Sequence, residues 1–152
     1  MKSALIATPL ALSSLQMWLW PSDFDVNQKV FFQPPGYVFG IVWTTLYLML
    51  GGYVYRLVDK SGKDRYKTAM LALFVVNMVI NLLWTPTVNT LRKFTWGIYM
   101  IGAMILTGML LMALETDRTS RALLAPYLVW LLFALSLNIE LARMYINGTA
   151  AK

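Results

Sequence analysis

The side chains available for chemistry are narrowly restricted. The chain has no His and no Cys. It therefore lacks the commonest general base, the commonest zinc ligand and the usual axial haem ligand, and it can form no disulfide, thiolate nucleophile or Cys-based metal site. What remains is amides, indoles and phenols, with six Trp and eight Tyr. Their focus is Asn77-Met-Val-Ile-Asn81-Leu-Leu-Trp84, near the centre of a charge-free run from Thr68 to Leu91. At helical spacing Asn77, Asn81 and Trp84 share one stripe, which would place two amides and an indole N–H in a hydrocarbon slab unable to hydrogen-bond them. They must face protein, a ligand or trapped water. The amides can bind this helix to its neighbours, at about 0.6 to 2 kcal/mol each. They can equally orient a ligand against Trp84, since polar intramembrane groups mark functional sites. The two readings are compatible. Glu140 is the one carboxylate outside the connections. One turn before Arg143, it reads as an i,i+3 pair reaching for the headgroups rather than as an acid or base. No catalytic residue and no metal ligand is assigned.

The elements that must position these groups follow from composition and charge placement. The chain is 59% hydrophobic and 13% charged, with a positive mean hydropathy, more apolar than a soluble domain of this length. Its charges gather in short clusters. Between them lie five charge-free runs, Ser3 to Ser22, Val30 to Tyr55, Thr68 to Leu91, Phe94 to Leu114 and Ala122 to Ile139, each about the length of a transmembrane helix. The expectation is an all-α membrane protein, a bundle of five transmembrane helices forming a single domain over residues 1–152, with spans at about 4–20, 36–56, 67–90, 94–114 and 122–145. The ten-residue alternation of a membrane β-barrel is absent. The net charge of +6 comes from Lys and Arg at span ends rather than from a continuous basic face, which argues against a nucleic-acid partner and for membrane flanks. More of these cations fall on the side of the N-terminus, which the positive-inside tendency would make cytoplasmic.

In the first segment Lys2 and the apolar run after it have the form of a signal peptide as well as of a span. Ala4, Ala7, Ala11 and Ser14 form a small-residue stripe, a candidate seam for packing or for a homodimer. Trp18 and Trp20 suit the aromatic belt. The connection at 21–35 carries Phe31 and Phe32, expected to fold back as a lid on the bundle end, and Pro35 suits the start of the second helix. That helix places Gly40, Trp43 and Tyr47 on one face. The fourth aligns Trp96, Tyr99, Ala103 and Leu106, and the fifth aligns Tyr127, Trp130, Ala134 and Asn138 or Leu137.

Pro34-Pro35-Gly-Tyr-Val-Phe-Gly-Ile-Val-Trp43-Thr-Thr-Leu-Tyr47, then Asn77-xxx-Asn81-xx-Trp84, Arg92-xxx-Trp96 and Pro126-Tyr-Leu-Val-Trp130-xxx-Ala134-xx-Leu137-Asn138 resemble the tryptophan-rich sensory protein family, also called the translocator protein or peripheral benzodiazepine receptor family. The resemblance covers the chain from about residue 29 onward. It implies a five-helix bundle, usually a homodimer, with a pocket near the first loop that takes porphyrins and isoquinoline or benzodiazepine drugs and, in some members, sterols. By position that pocket would be lined by Tyr37, Trp43, Asn77, Asn81, Trp84, Trp96, Trp130, Ala134, Leu137 and Asn138. Tyr37 and Phe32 stand where many members have Trp, and Asn77 where many have Gln. The acidic residue many members carry near Met100 is absent, and Ile139 replaces the tyrosine of the sterol motif.

The function so implied is a receptor-like integral membrane protein that binds porphyrin or another flat apolar molecule, with no obligatory cofactor and a role in tetrapyrrole handling, transport or stress signalling. Aromatic rings offer stacking area and amides fix orientation, which suits such a ligand. The host would be a bacterial envelope membrane or one of the mitochondrial outer type. The alternatives are a porphyrin-degrading enzyme, which without acid or base would need a light-driven or aromatic radical path, and an assembly subunit that binds no ligand.

Overall fold

The computed structural model describes residues 4–20, 30–60 and 66–146. It contains helices α1 (Ala4–Leu19), α2 (Gly36–Asp59), α3 (Lys67–Thr85), α4 (Phe94–Leu114) and α5 (Arg118–Ile146), and among the described residues no strand. A π-helical turn, Pro86–Thr90, continues α3. Its cause is local. Pro86 has no N–H to give the carbonyl one turn back, so the regular ladder stops there. The chain closes instead through the wider Leu91 N–H to Pro86 O bond at 3.0 Å.

Going round the bundle, α1 packs on α2, α2 on α5, α5 on α4 and α4 on α3, and the ring closes where α3 meets α1 and α2. Each helix turns a stripe inward. On α4 it is Phe94, Gly97, Ile101, Met104, Gly108 and Leu111, spaced alternately three and four residues apart as one helical face requires. Glycines set the closest approaches: a Cβ at Gly97 would press on Val88 and Asn138, and one at Gly51 would collide with the backbone of Ile6 in α1.

The outward faces are as apolar as the core. Val75, Val79, Leu83, Leu106 and Leu132 are all exposed, and only about a third of the most apolar 18-residue stretch of each long helix is buried (33% in α2, 28% in each of the others). A surface of this kind needs hydrocarbon around it. Four helices are long and apolar enough to cross a membrane: α2, α3 with its π-turn, α4 and α5. The chain is an all-helical, integral, multi-pass membrane protein. Against five full-length spans, α1 is the exception. Its 16 residues extend about 24 Å at the helical rise, less than the roughly 30 Å of a hydrocarbon core.

At the end where α2 runs out and α4 passes into α5, charges lock together. Lys60 Nζ meets Glu115 Oε1 at 2.6 Å, with the Glu115 side chain fully buried. Arg56 reaches Asp117 at 2.9 Å. Glu115 also accepts the Asp117 N–H at 2.9 Å, and its own carbonyl accepts Arg121 Nε at 2.6 Å. Lys67 Nζ donates to the carbonyls of Val58 and Lys60 at 2.8 and 2.7 Å, covering the C-terminus of α2 where the last carbonyls lack partners and the dipole favours a cation. Asp117 accepts the Ser120 N–H, capping α5 at 2.8 Å. That bond, with the Ser120 hydroxyl and Arg56 beside it, holds the Asp117 carboxyl down at about 2.

Candidate ligand-binding site

At the opposite end the helices enclose a cavity of about 340 Å³, within the range of about 300–1,000 Å³ usual for small-molecule sites. The C-terminal half of α1 supplies Leu10, Ser13, Ser14, Gln16 and Met17. The start of α2 supplies Phe39, Gly40, Trp43, Thr44 and Tyr47. Asn81, Trp84 and Thr85 come from α3, and Val88 and Asn89 from the π-turn. Ile101, Met104, Leu137 and Leu141 complete the wall with Gln33. None of these side chains is charged.

The aromatic part centres on Trp43. It stacks on Tyr47 at 5.3 Å between centroids with a 28° interplanar angle, and meets Trp130 edge-on at 6.4 Å and Tyr127 at 6.5 Å. Trp130 is held in turn against Phe39 at 5.6 Å. One turn of α2 separates Trp43 from Tyr47, which is why the rings overlap.

Beneath the rings runs a hydrogen-bonded chain. Tyr47 OH donates to Asn81 Oδ1 at 2.7 Å. Asn81 Nδ2 donates to Tyr127 OH at 3.4 Å, and Tyr127 OH to Asn77 Oδ1 at 2.7 Å. Asn77 Nδ2 gives its protons to the Met104 carbonyl at 2.8 Å and to Thr107 Oγ1 at 2.7 Å. Four helices are joined through two amides, so the interhelical use of Asn77 and Asn81 is met in the geometry. Asn81 also reaches the cavity wall, with both ends of its amide already engaged. Asn138 Nδ2 ties α5 to the Phe94 carbonyl at 2.7 Å, an approach that Gly97 leaves room for.

Among the residues singled out from sequence, Trp43, Asn81, Trp84 and Leu137 line the cavity together. Trp130 and Ala134 pack just behind, and Asn77 and Asn138 are buried in interhelical bonds. Tyr37 and Trp96 turn outward, 71% and 62% exposed. The stripe read on α4 faces lipid, with Tyr99 and Leu106 also exposed, because the glycines and Met104 on the other side are what admit neighbouring helices. Of the two loop phenylalanines, Phe32 meets Phe133 edge-on at 6.4 Å while Phe31 is fully exposed.

Sequence reasoning missed the α1 wall, Gln33 and Asn89. Ser13, Ser14 and Gln16 gather within about one turn of a largely apolar segment, and that polar group was the available signal. Several buried polar atoms around the cavity have no hydrogen-bond partner in the protein: Gln33 Oε1, Trp84 Nε1, Asn89 Nδ2, Trp130 Nε1 and Asn138 Oδ1. The wall offers stacking surface and neutral polar groups, hydroxyls and amides among them, and carries no Asp, Glu, Lys or Arg side chain. Among the described residues no group of three or more carboxylates stands ready for a metal.

These features define a class: a helical membrane protein with an uncharged, aromatic cavity between its helices. The chain belongs to the TspO/MBR family, whose model matches residues 5–144. It is 26% identical over 131 residues to the tryptophan-rich sensory protein of Cereibacter sphaeroides, covering 85% of this chain and 80% of that one. It is 31% identical over 130 residues to the tryptophan-rich protein TspO of Archaeoglobus fulgidus (84% and 80% covered). To the human translocator protein it is 28% identical over 116 residues (73% and 68% covered).

Proposed function

We propose that the cavity binds a flat, largely apolar ring compound of the tetrapyrrole class, and that the protein acts as a receptor or carrier for it within the membrane. The observation that carries this reading is the Trp43–Tyr47 stack on the wall of an uncharged cavity that also holds Trp84. Aromatic faces attract a flat ring by stacking and burial, whatever lies at its centre. Synthetic ligands of isoquinoline or benzodiazepine shape share the same requirement. In this reading α1 also crosses the membrane, making five spans of one domain, with the bilayer thinned or the interfacial Trp18 and Trp20 taking up the mismatch. Two copies pair in part along Ala4, Ala7, Ala11 and Ser14, which are exposed on α1, so Ala7→Leu with Ala11→Leu shifts the protein toward monomer in detergent; an unchanged dimer fraction moves the seam elsewhere.

The deciding experiment is a titration of intrinsic tryptophan fluorescence with metal-free protoporphyrin and with haem. Saturable quenching near one ligand per chain is expected, with the two affinities within about tenfold, or 1.4 kcal/mol, of one another. The absence of His and Cys leaves stacking as the main attraction. A haem affinity far above that, with a low-spin six-coordinate spectrum, would show an axial side chain in command. No saturable quenching by either ligand would favour an assembly subunit.

A further inference from the structure

The cavity wall carries no charge, and the Asn81 amide that reaches it is engaged at both ends. A ligand carboxylate finds no counter-charge inside: the unpartnered donors on the wall, Trp84 Nε1 and Asn89 Nδ2, can hydrogen-bond an ionised acid but not neutralise it, and a charge away from water needs both. Counter-charge is available at the bundle end formed by the end of α1, the start of α2, the π-turn, the start of α4 and the end of α5, the elements that supply most of the wall.

Among the described residues, three cations stand at that end. Arg143 faces Glu140 at 3.6 Å. Arg92 and Lys93 have no carboxylate partner among the described residues. Arg92 follows the π-turn by two residues and Asn89, on the cavity wall, by three. Its φ is 53°, the one positive value outside glycine among the described residues, and the bonds Leu91 N–H to Pro86 O and Lys93 N–H to Thr87 O close around it at 3.0 and 3.1 Å. This is a helix-ending position that glycine or asparagine fills at least steric cost. An arginine there carries backbone strain that a glycine would avoid.

We propose that Arg92 sets the ligand selectivity of the cavity. Its guanidinium takes the carboxylate of an amphipathic ring compound at the mouth, so the site prefers flat ligands with an acid group on the rim over the same ring without one. This rests on the cavity being a ligand site. The planar fork of Arg suits a carboxylate in two-point contact. A lipid phosphate offers similar chemistry at the same depth, so the test is run in uncharged detergent free of lipid.

Protoporphyrin and its dimethyl ester share one ring and differ in charge, and both are read by tryptophan quenching. The unmodified protein should bind the free acid at least about tenfold more tightly than the diester. Arg92→Gly should bring the acid down to the level of the diester while leaving the thermal midpoint unchanged or higher, because glycine is at ease at this φ. Arg92→Lys should retain part of the preference. Binding and stability moving in opposite directions is a result that a merely structural arginine would not give. Equal affinity for acid and ester in the unmodified protein overturns the proposal and leaves the cavity reading standing. A preference that survives in Arg92→Gly overturns the assignment to Arg92. An arginine effect seen only after anionic phospholipid is added assigns the side chain to headgroups, also against the proposal. No saturable binding of either compound overturns this inference and the cavity reading together.

Discussion

The two ends of the bundle are built by different means. At one, α2 is tied to the α4–α5 connection by Lys60–Glu115 and Arg56–Asp117, carbonyls are covered by Lys67 and a cap closes α5. At the other, the helices part around a cavity with no charge in its wall. Of seven buried polar atoms without partners among the described residues, five belong to the cavity end. Ionic groups specify which helix ends meet, and aromatic and amide groups leave space between the helices open. The difference teaches that this fold keeps its electrostatic closure away from the place where it could hold a ligand, with the Tyr47–Asn81–Tyr127–Asn77 chain as the boundary between them.

Breaking the closed end should have the largest effect. Glu115→Ala removes the fully buried partner of Lys60, whose own side chain is only 16% exposed. Removing one partner of a buried pair costs about 3 kcal/mol or more, read as a lower unfolding midpoint in detergent. Ligand affinity of the remaining folded protein should stay the same, and an equal loss of affinity would show the ends to be coupled. Tyr127→Phe acts on the boundary. It deprives Asn77 Oδ1 of its donor and Asn81 Nδ2 of its acceptor, at a cost of about 1–3 kcal/mol for the buried groups left unpaired; a variant as stable as the parent would mean that the amides find other partners. Trp84→Ala acts on the cavity wall and on the packing of the Val88–Phe94–Ala142 cluster beside it. Affinity for protoporphyrin should fall by about tenfold, a loss of 1.4 kcal/mol, with helical content by circular dichroism unchanged. Normal binding by this variant would move the ligand away from α3.

The smallest effect is on pH dependence. The Asp117 carboxyl titrates at about 2 against an ordinary 3.8, chiefly because it accepts the Ser120 N–H. A carboxyl depressed in the folded state adds stability above the unfolded value and loses it as pH falls through the folded one. The contribution should therefore be complete above about pH 3.8 and gone near pH 2. Because the pair with Arg56 is solvent-exposed, the change should be slight. Comparing unfolding midpoints of the parent and Asp117→Asn from pH 5 to 2 measures it; parallel curves would mean that the cap contributes nothing.

How much was readable in advance differed between the two ends. Long charge-free runs gave the four spanning helices, because in a bilayer the apolar stretch is itself the structural element. Trp43, Asn81, Trp84 and Leu137 converge on one cavity because their spacing keeps each on the inward stripe of its own helix. Trp96 did not follow, since an aromatic stripe on an all-apolar helix has no preferred side. What decides the side of α4 is the small residues Gly97 and Gly108, against which Val88 and Leu128 pack. The closed end was the less legible. Glu115 sits in a three-residue connection, where a carboxylate is expected in water, and its complete burial depends on a lysine 55 residues earlier. Opposite charges at two span ends on one side of the membrane were the available clue.

That separation in sequence also bears on how the chain is made. Lys60 precedes Glu115 by 55 residues and Arg56 precedes Asp117 by 61, so α2 emerges from the ribosome well before its counter-ions exist. During that interval Arg56 and Lys60 flank a freshly made apolar segment without yet having met Asp117 and Glu115. When the α4–α5 hairpin arrives, the same cations are neutralised in place. The same side chains are thus made as the flank of one helix and later become part of the fastening between helices, in an order fixed by the direction of translation.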